Sequence, residues 1–200
     1  MTLLSKLKAA ACLSLAVLAL APQGMAQTPR HEVGLSFGII TTDQMIDLME
    51  DITTIVITLG TYAKQDYEFG GAAFLTYRYA LKERLSLGFA LGTYTTRGNL
   101  ALLGETQGTF KESNYVGAAE ITYRWVLSRG FQLYSGLGLG GIIKKGLYAV
   151  SGSPDETTSR FRPTFHVNLL GIRLGKALGF FGEIGAGYKG VINLGLSGRF

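Results

Sequence analysis

One cysteine, two histidines and one tryptophan among 200 residues leave little material for thiol or imidazole chemistry. Cys12 lies inside the first 26 residues, so the remainder has no thiol, which excludes a disulfide framework and a thiolate metal site there. Proline is also scarce, at four residues. Beyond residue 26 no apolar run approaches the ~20 residues that a membrane helix requires. Charged residues make up only 16% of the chain and its formal charge is +5. Setting aside Lys6 and Lys8 with the leader takes the charge to +3, which is short of the basic stripe of a nucleic-acid protein.

Glycine is abundant by contrast, with 28 residues, twice the usual share of about 7%. The start of the chain reads as a secretory signal peptide over 1–26: MTLLSKLK is the positive region, AAACLSLAVLALA the apolar run, and Gly24-Met25-Ala26 the cleavage site. The remaining 174 residues suit one domain, 27–200. Its last ten residues, VINLGLSGRF, put Ile192, Leu194, Leu196 and Phe200 on one face of an extended strand and Asn193, Ser197 and Arg199 on the other.

The same period of two recurs along the chain. Strands are expected at about 31–40, 66–81, 84–97, 113–127, 131–145, 160–175, 178–188 and 191–200. Apolar alternate residues such as Val33, Leu35 and Phe37 lie opposite Gly34, Ser36 and Gly38. In 160–175 the apolar parity switches near Leu169, which predicts a β-bulge. Short turns near 82, 129 and 177 alternate with longer loops at 41–65, 98–112 and 146–159, and Lys189-Gly190 makes one short outer turn. The pattern predicts an all-β fold, an eight-stranded antiparallel up-and-down transmembrane barrel with apolar residues toward lipid. Tyr77, Tyr79, Tyr123, Trp125, Phe131, Phe180 and Phe200 fall at one interface, and Tyr67, Phe69, Tyr115, Phe161 and Tyr188 at the other.

Charges follow the same partition. Arg78, Glu120, Arg124 and Glu183 take the inward parity and are expected to form an ion-pair network in a lumen too narrow for an open channel. Residues 41–59 depart from the strand pattern: Met45, Leu48, Met49 and Ile52 recur at helical spacing after a Thr41/Gln44 capping box, which predicts a short amphipathic helix over 42–58 in the first external loop. A basic set near the outer strand ends, Lys144, Lys145, Arg160, Arg162 and Lys189 with Arg97 and Lys111, is a candidate surface for lipopolysaccharide phosphates. His166 in FHVNLL has no serine placed as a nucleophile and reads as a buried, hydrogen-bonded lumen residue; His31 reads as an exposed strand start. No catalytic residue, metal ligand set or cofactor motif is expected, and GLGLGG at 136–141 is a strand interior, not a phosphate loop.

The strands FLTYRYAL (74–81) and AAEITYRWVL (118–127), each before a tight turn, the segment QLYSGLGLG (132–140) and the final Phe200 resemble the small outer-membrane β-barrel proteins grouped with OmpA, OmpX and OmpW. The chain departs from them at Gly198, where an aromatic is common, and no peptidoglycan-binding domain is expected after the barrel. The resemblance implies a bacterial outer-membrane location and an insertion machinery that reads the last strand and Phe200, without implying a substrate. The expected role is structural, adhesive or binding, by a monomer among outer-membrane lipids. A transport barrel for small or hydrophobic solutes is the alternative, followed by a lipid A hydrolase using His166. A soluble lipocalin-type barrel is the alternative fold.

Overall fold

The computed structural model describes residues 29–39, 63–102, 105–150 and 156–200. The signal peptide expected at 1–26 and the helix expected at 42–58 lie outside the described residues. Among the described residues nine strands are present: β1 His31–Ile39, β2 Ala63–Phe69, β3 Ala72–Ala80, β4 Leu85–Leu102, β5 Glu105–Leu127, β6 Phe131–Val150, β7 Glu156–Gly175, β8 Leu178–Gly187 and β9 Ile192–Arg199. Consecutive spans pair antiparallel, and β1 pairs with β9 while β4 pairs with both β3 and β5, so the sheet closes on itself. β2 continues β3 along the same partner β4, interrupted at Gly70-Gly71, and the two count as one span. The result is a closed eight-stranded up-and-down antiparallel barrel.

Alternation sorts the side chains as the sequence predicts over most of the wall. Leu35, Phe37, Leu75, Leu87, Phe89, Leu91, Leu137 and Leu139 face out, while Ser36, Thr76, Arg78, Glu120 and Thr122 are buried inside. The parity change in β7 is a bulge: register shifts between Asn168 and Leu170 against β8, and Leu169 and Leu170 are both exposed. A second irregularity follows Arg124 in β5, leaving Trp125, Val126 and Leu127 all outside. These two bulges are tied together on the outer wall. The Trp125 indole N–H donates to Ser135 Oγ at 3.0 Å, and the Ser135 hydroxyl donates to the Leu169 carbonyl at 2.6 Å.

Inward glycines are sockets for inward rings. A Cβ on Gly171 would meet the Tyr134 ring, one on Gly138 the Tyr188 phenol and one on Gly92 the Phe74 ring, so glycine at these places is what lets large side chains fill a narrow lumen.

Three expectations need correction. Most of the segments expected as loops at 98–112 and 146–159 is strand: β4 and β5 run on to Leu102 and from Glu105, and β6 and β7 run on to Val150 and from Glu156. A span needs about 9–11 residues, so β5 at 23 residues and β6 and β7 at 20 each extend beyond the barrel as arms. Tyr188 was expected outside, yet it is fully buried in the lumen. Gly187 before it has φ +136°, a left-handed conformation that breaks the strand parity and turns the next side chain inward. Glu68, at the same alternate parity as the inward Arg78 within the strand expected at 66–81, is instead exposed on β2 beyond the Gly70-Gly71 break. One end of the barrel, the turn end, carries the tight connections 81–84, 128–130 and 176–177; the arm end carries the others. At the turn end first and last strands are clasped: His31 and Phe200 exchange two 3.0 Å backbone hydrogen bonds, and their rings stack at 5.6 Å.

Candidate functional site

The lumen holds one continuous chain of charges. Arg199 Nε meets Glu32 at 2.5 Å, Glu32 meets Arg78 Nη1 at 3.2 Å, and Arg78 Nη2 meets Glu183 at 2.7 Å. Lys189 lies 3.7 Å from Glu183 and 2.6 Å from Glu120. Neutral donors saturate the carboxylates: the Tyr134 hydroxyl and Asn193 Nδ2 reach Glu183 at 2.9 and 2.8 Å, the Tyr188 hydroxyl reaches Glu120 at 2.7 Å. Arg199 also donates to Gln132. The Arg78 guanidinium packs against the Tyr134 and Phe181 rings at 5.3 and 5.9 Å from their centroids. Buried charges need such pairing because desolvation of each ion costs several kcal/mol.

Of the four charges expected to pair, Arg78 and Glu183 are in direct contact, and Glu120 joins them through Lys189. Arg124 does not join: its Nη1 donates to the Glu83 carbonyl at 3.2 Å and so holds the β3–β4 turn. Arg173 does the same for the β7–β8 turn, donating to the carbonyls of Gly175, Lys176 and Ala177 at 2.8 to 3.4 Å and to Ser197. Sequence reasoning missed Glu32 and Lys189. Glu32 carries the inward parity of Gly34 and Ser36, which is a readable signal; Lys189 carries none, since the Gly187 turn decides its direction. Lys189 is therefore a lumen residue and not an outer contact.

His166 is buried beside this network, its ring 5.2 Å from that of Tyr188, and neither ring nitrogen has a hydrogen-bond partner among the described residues. The hydrogen bond expected for it is not found among the described residues. His31 is half-buried, with Nδ1 2.8 Å from the Tyr77 hydroxyl. No cluster of three metal-ligating side chains occurs among the described residues.

An apolar layer lies on the arm side of the charges. Along β3, β4 and β5 the residues after Arg78, Gly88 and Glu120 toward the arms include Phe74, Ala72, Ala90, Tyr94, Ala118 and Val116, which cluster with Ile142 and Tyr188. Farther out a second polar group forms, with Lys144 Nζ 2.9 Å from Glu112 and the Tyr148 hydroxyl 2.7 Å from it. The filled interior thus alternates charge, hydrocarbon and charge.

No family model matches this sequence, and no curated protein matches it. Among solved structures, the crystal structure of Ail, the attachment invasion locus protein of Yersinia pestis, in complex with the heparin analogue sucrose octasulfate is 12% identical, with a TM-score of 0.45. A second crystal structure of Ail is 14% identical with a TM-score of 0.42. Each match covers 85% of this chain and 98% of that chain. The likeness is one of fold.

The outer basic set divides. Lys144 turns inward to Glu112, Arg162 is half-buried on the inward parity of β7, and Arg160 is exposed on the arm at that same parity. Lys145 is exposed on the outer wall, its ammonium 5.8 Å from the Tyr115 ring centroid. Arg97 and Lys111, directly paired across β4 and β5, are exposed on that wall too. Just inward of these three, toward the barrel, runs the row Tyr115, Ile143 and Phe161, all exposed.

Proposed function

We propose that this chain is an integral bacterial outer-membrane β-barrel with a sealed lumen and a structural, adhesive or binding role at the cell surface. The observation that carries this reading is the inversion of polarity. Leu139, Phe161 and Leu196 are 73%, 72% and 65% exposed, while Arg173, Glu183 and Lys189 are 1–2% exposed. In water a wall of this kind is an association surface. In hydrocarbon it is the stable arrangement, since a lipid-facing Arg or Lys near the midplane costs about 2–4 kcal/mol. The leader at 1–26 supplies export, and the paired last strand with Phe200 supplies what an insertion machinery would read. The barrel acts as a monomer without a cofactor and without catalysis.

A sealed interior favours binding over transport. The apolar layer of Phe74, Val116 and Ile142 lies across the route that ions would take, and hydrophobic constrictions exclude water. Arg97, Lys111 and Lys145, above the Tyr115 and Phe161 rings, sit where lipopolysaccharide phosphates would be, and the arms beyond offer the binding surface. The test is cell fractionation followed by planar-bilayer recording. The expected result is a chain that stays with outer membranes through an alkaline carbonate wash and, once refolded in detergent, gives no steady conductance. A compact, freely soluble chain would overturn the membrane reading, and a steady ohmic channel would favour transport.

A further inference from the structure

We infer that the turn end of the barrel is a ring of cations that selects anionic phospholipid headgroups from the periplasm-facing leaflet. The inference rests on the membrane reading above, in which short turns face the periplasm. Around the barrel this end has four quadrants: the β3–β4, β5–β6 and β7–β8 turns and the β9–β1 seam. Each carries an exposed cation: Lys82 and Arg84, then Arg129, then Lys176, then Arg30. Glu83 is the one acidic side chain among the described residues of these turns. None of the five cations has an ion pair among the described residues. Nor does residues 1–28 supply a counter-charge, since the first acid in the sequence is Glu32.

The interior adds to the same field. Arg124 and Arg173 reach down to the turn carbonyls and, among the described residues, have no carboxylate in salt-bridge contact, so two further positive charges stand at this mouth. The depth is also right for phosphate. Tyr79, Trp125, Phe131 and Phe180 mark the edge of the apolar wall, and the nearest of the ring cations lie within four residues of them, roughly 13 Å of strand. Long side chains at such a boundary lay their stems on hydrocarbon and present their charge to headgroups. Cations spread over all four quadrants suit many small mobile anions better than one docked polymer.

The experiment uses the full chain refolded in phosphatidylcholine vesicles containing spin-labelled phosphatidylglycerol or phosphatidylcholine, with electron paramagnetic resonance reading the motionally restricted lipid. Native chain is expected to hold phosphatidylglycerol about two- to fivefold more strongly than phosphatidylcholine, with the preference shrinking at high salt. The variant Arg30→Gln, Lys82→Gln, Arg84→Gln, Arg129→Gln, Lys176→Gln is expected to lose that preference. A control variant in the same turns, Glu83→Gln, which removes the one acidic side chain there, is expected to keep or raise it. Equal affinities in the native chain, or a preference that survives in the first variant, would overturn the inference while leaving the membrane reading intact. A chain that does not float with vesicles at all would overturn both.

Discussion

Replacing Glu183 with glutamine removes one charge from the lumen while keeping its volume, which makes it the sharpest probe of the network. Glu183 is buried and accepts from Arg78 at 2.7 Å, Asn193 at 2.8 Å and Tyr134 at 2.9 Å, with Lys189 at 3.7 Å. An amide presents its NH2 to donors on one side, so at least one of these contacts becomes donor against donor. Loss of one partner of a buried pair typically costs 3–5 kcal/mol. Here the cations are only half abandoned, since Arg78 keeps Glu32 at 3.2 Å and Lys189 keeps Glu120 at 2.6 Å. The expected loss for Glu183→Gln is therefore at the low end, about 3 kcal/mol, or roughly two orders of magnitude in the folding equilibrium. Urea unfolding in phosphatidylcholine vesicles measures it, with Trp125 as reporter because it is the only tryptophan and is 56% exposed on the outer wall. The double variant Arg78→Leu, Glu183→Leu is expected to recover most of the loss, since a buried ion pair exchanged for apolar groups is often near neutral. A cost below about 1 kcal/mol for Glu183→Gln, or no recovery in the double variant, would refute the view that charge pairing inside the barrel sets its stability.

Three further outcomes follow from other parts of the molecule. Gly171→Val puts methyls into the Tyr134 ring and is expected to prevent folding, with Gly171→Val, Tyr134→Ala partly restoring the folded band on an unheated gel. Phe74→Ala with Ile142→Ala opens the apolar layer, costing several kcal/mol and producing leak conductance in planar bilayers where the native chain has none; an unchanged baseline would place the seal elsewhere. Ser135→Ala leaves the Leu169 carbonyl and the Trp125 indole N–H without each other's bridge on the outer wall, for a loss of about 1–3 kcal/mol and a changed tryptophan emission; equal stability would mean that the bulge carbonyl is satisfied in another way.

What the sequence made legible is tied to where hydrocarbon dictates the choice. Leu35, Phe89, Leu139 and Leu196 alternate with small or polar residues because each strand has one wall in each medium, and even the slip at Leu169 showed as a change of parity. The arms were illegible for the same reason. In TYTTRGNL and TFKESNY no single apolar face separates two media, so the segments read as loops while the ladder continues through them. Tyr188 and Lys189 were misplaced because their direction depends on the backbone of Gly187 and Gly190, at φ +136° and +93°, which alternation does not encode. Arg124 illustrates a third cause: parity put it inside, yet on the turn side of the apolar layer three carboxylates, Glu32, Glu120 and Glu183, are shared among five inward cations, which leaves some guanidinium to bond backbone instead.

The clasp between β1 and β9 bears on how the molecule comes into being. Every other neighbouring pair of spans is also adjacent along the chain, so hairpins such as β3–β4 or β7–β8 can zip locally as soon as both halves exist. Glu32 and Arg199, and His31 with Phe200, lie far apart along the chain, and theirs is the one pairing between spans distant in sequence, which has to wait for β9. Until then the nascent sheet has two raw margins and a half-built polar centre open to its surroundings, so closure is the slow, high-contact-order step and the moment at which the structure becomes all-or-none.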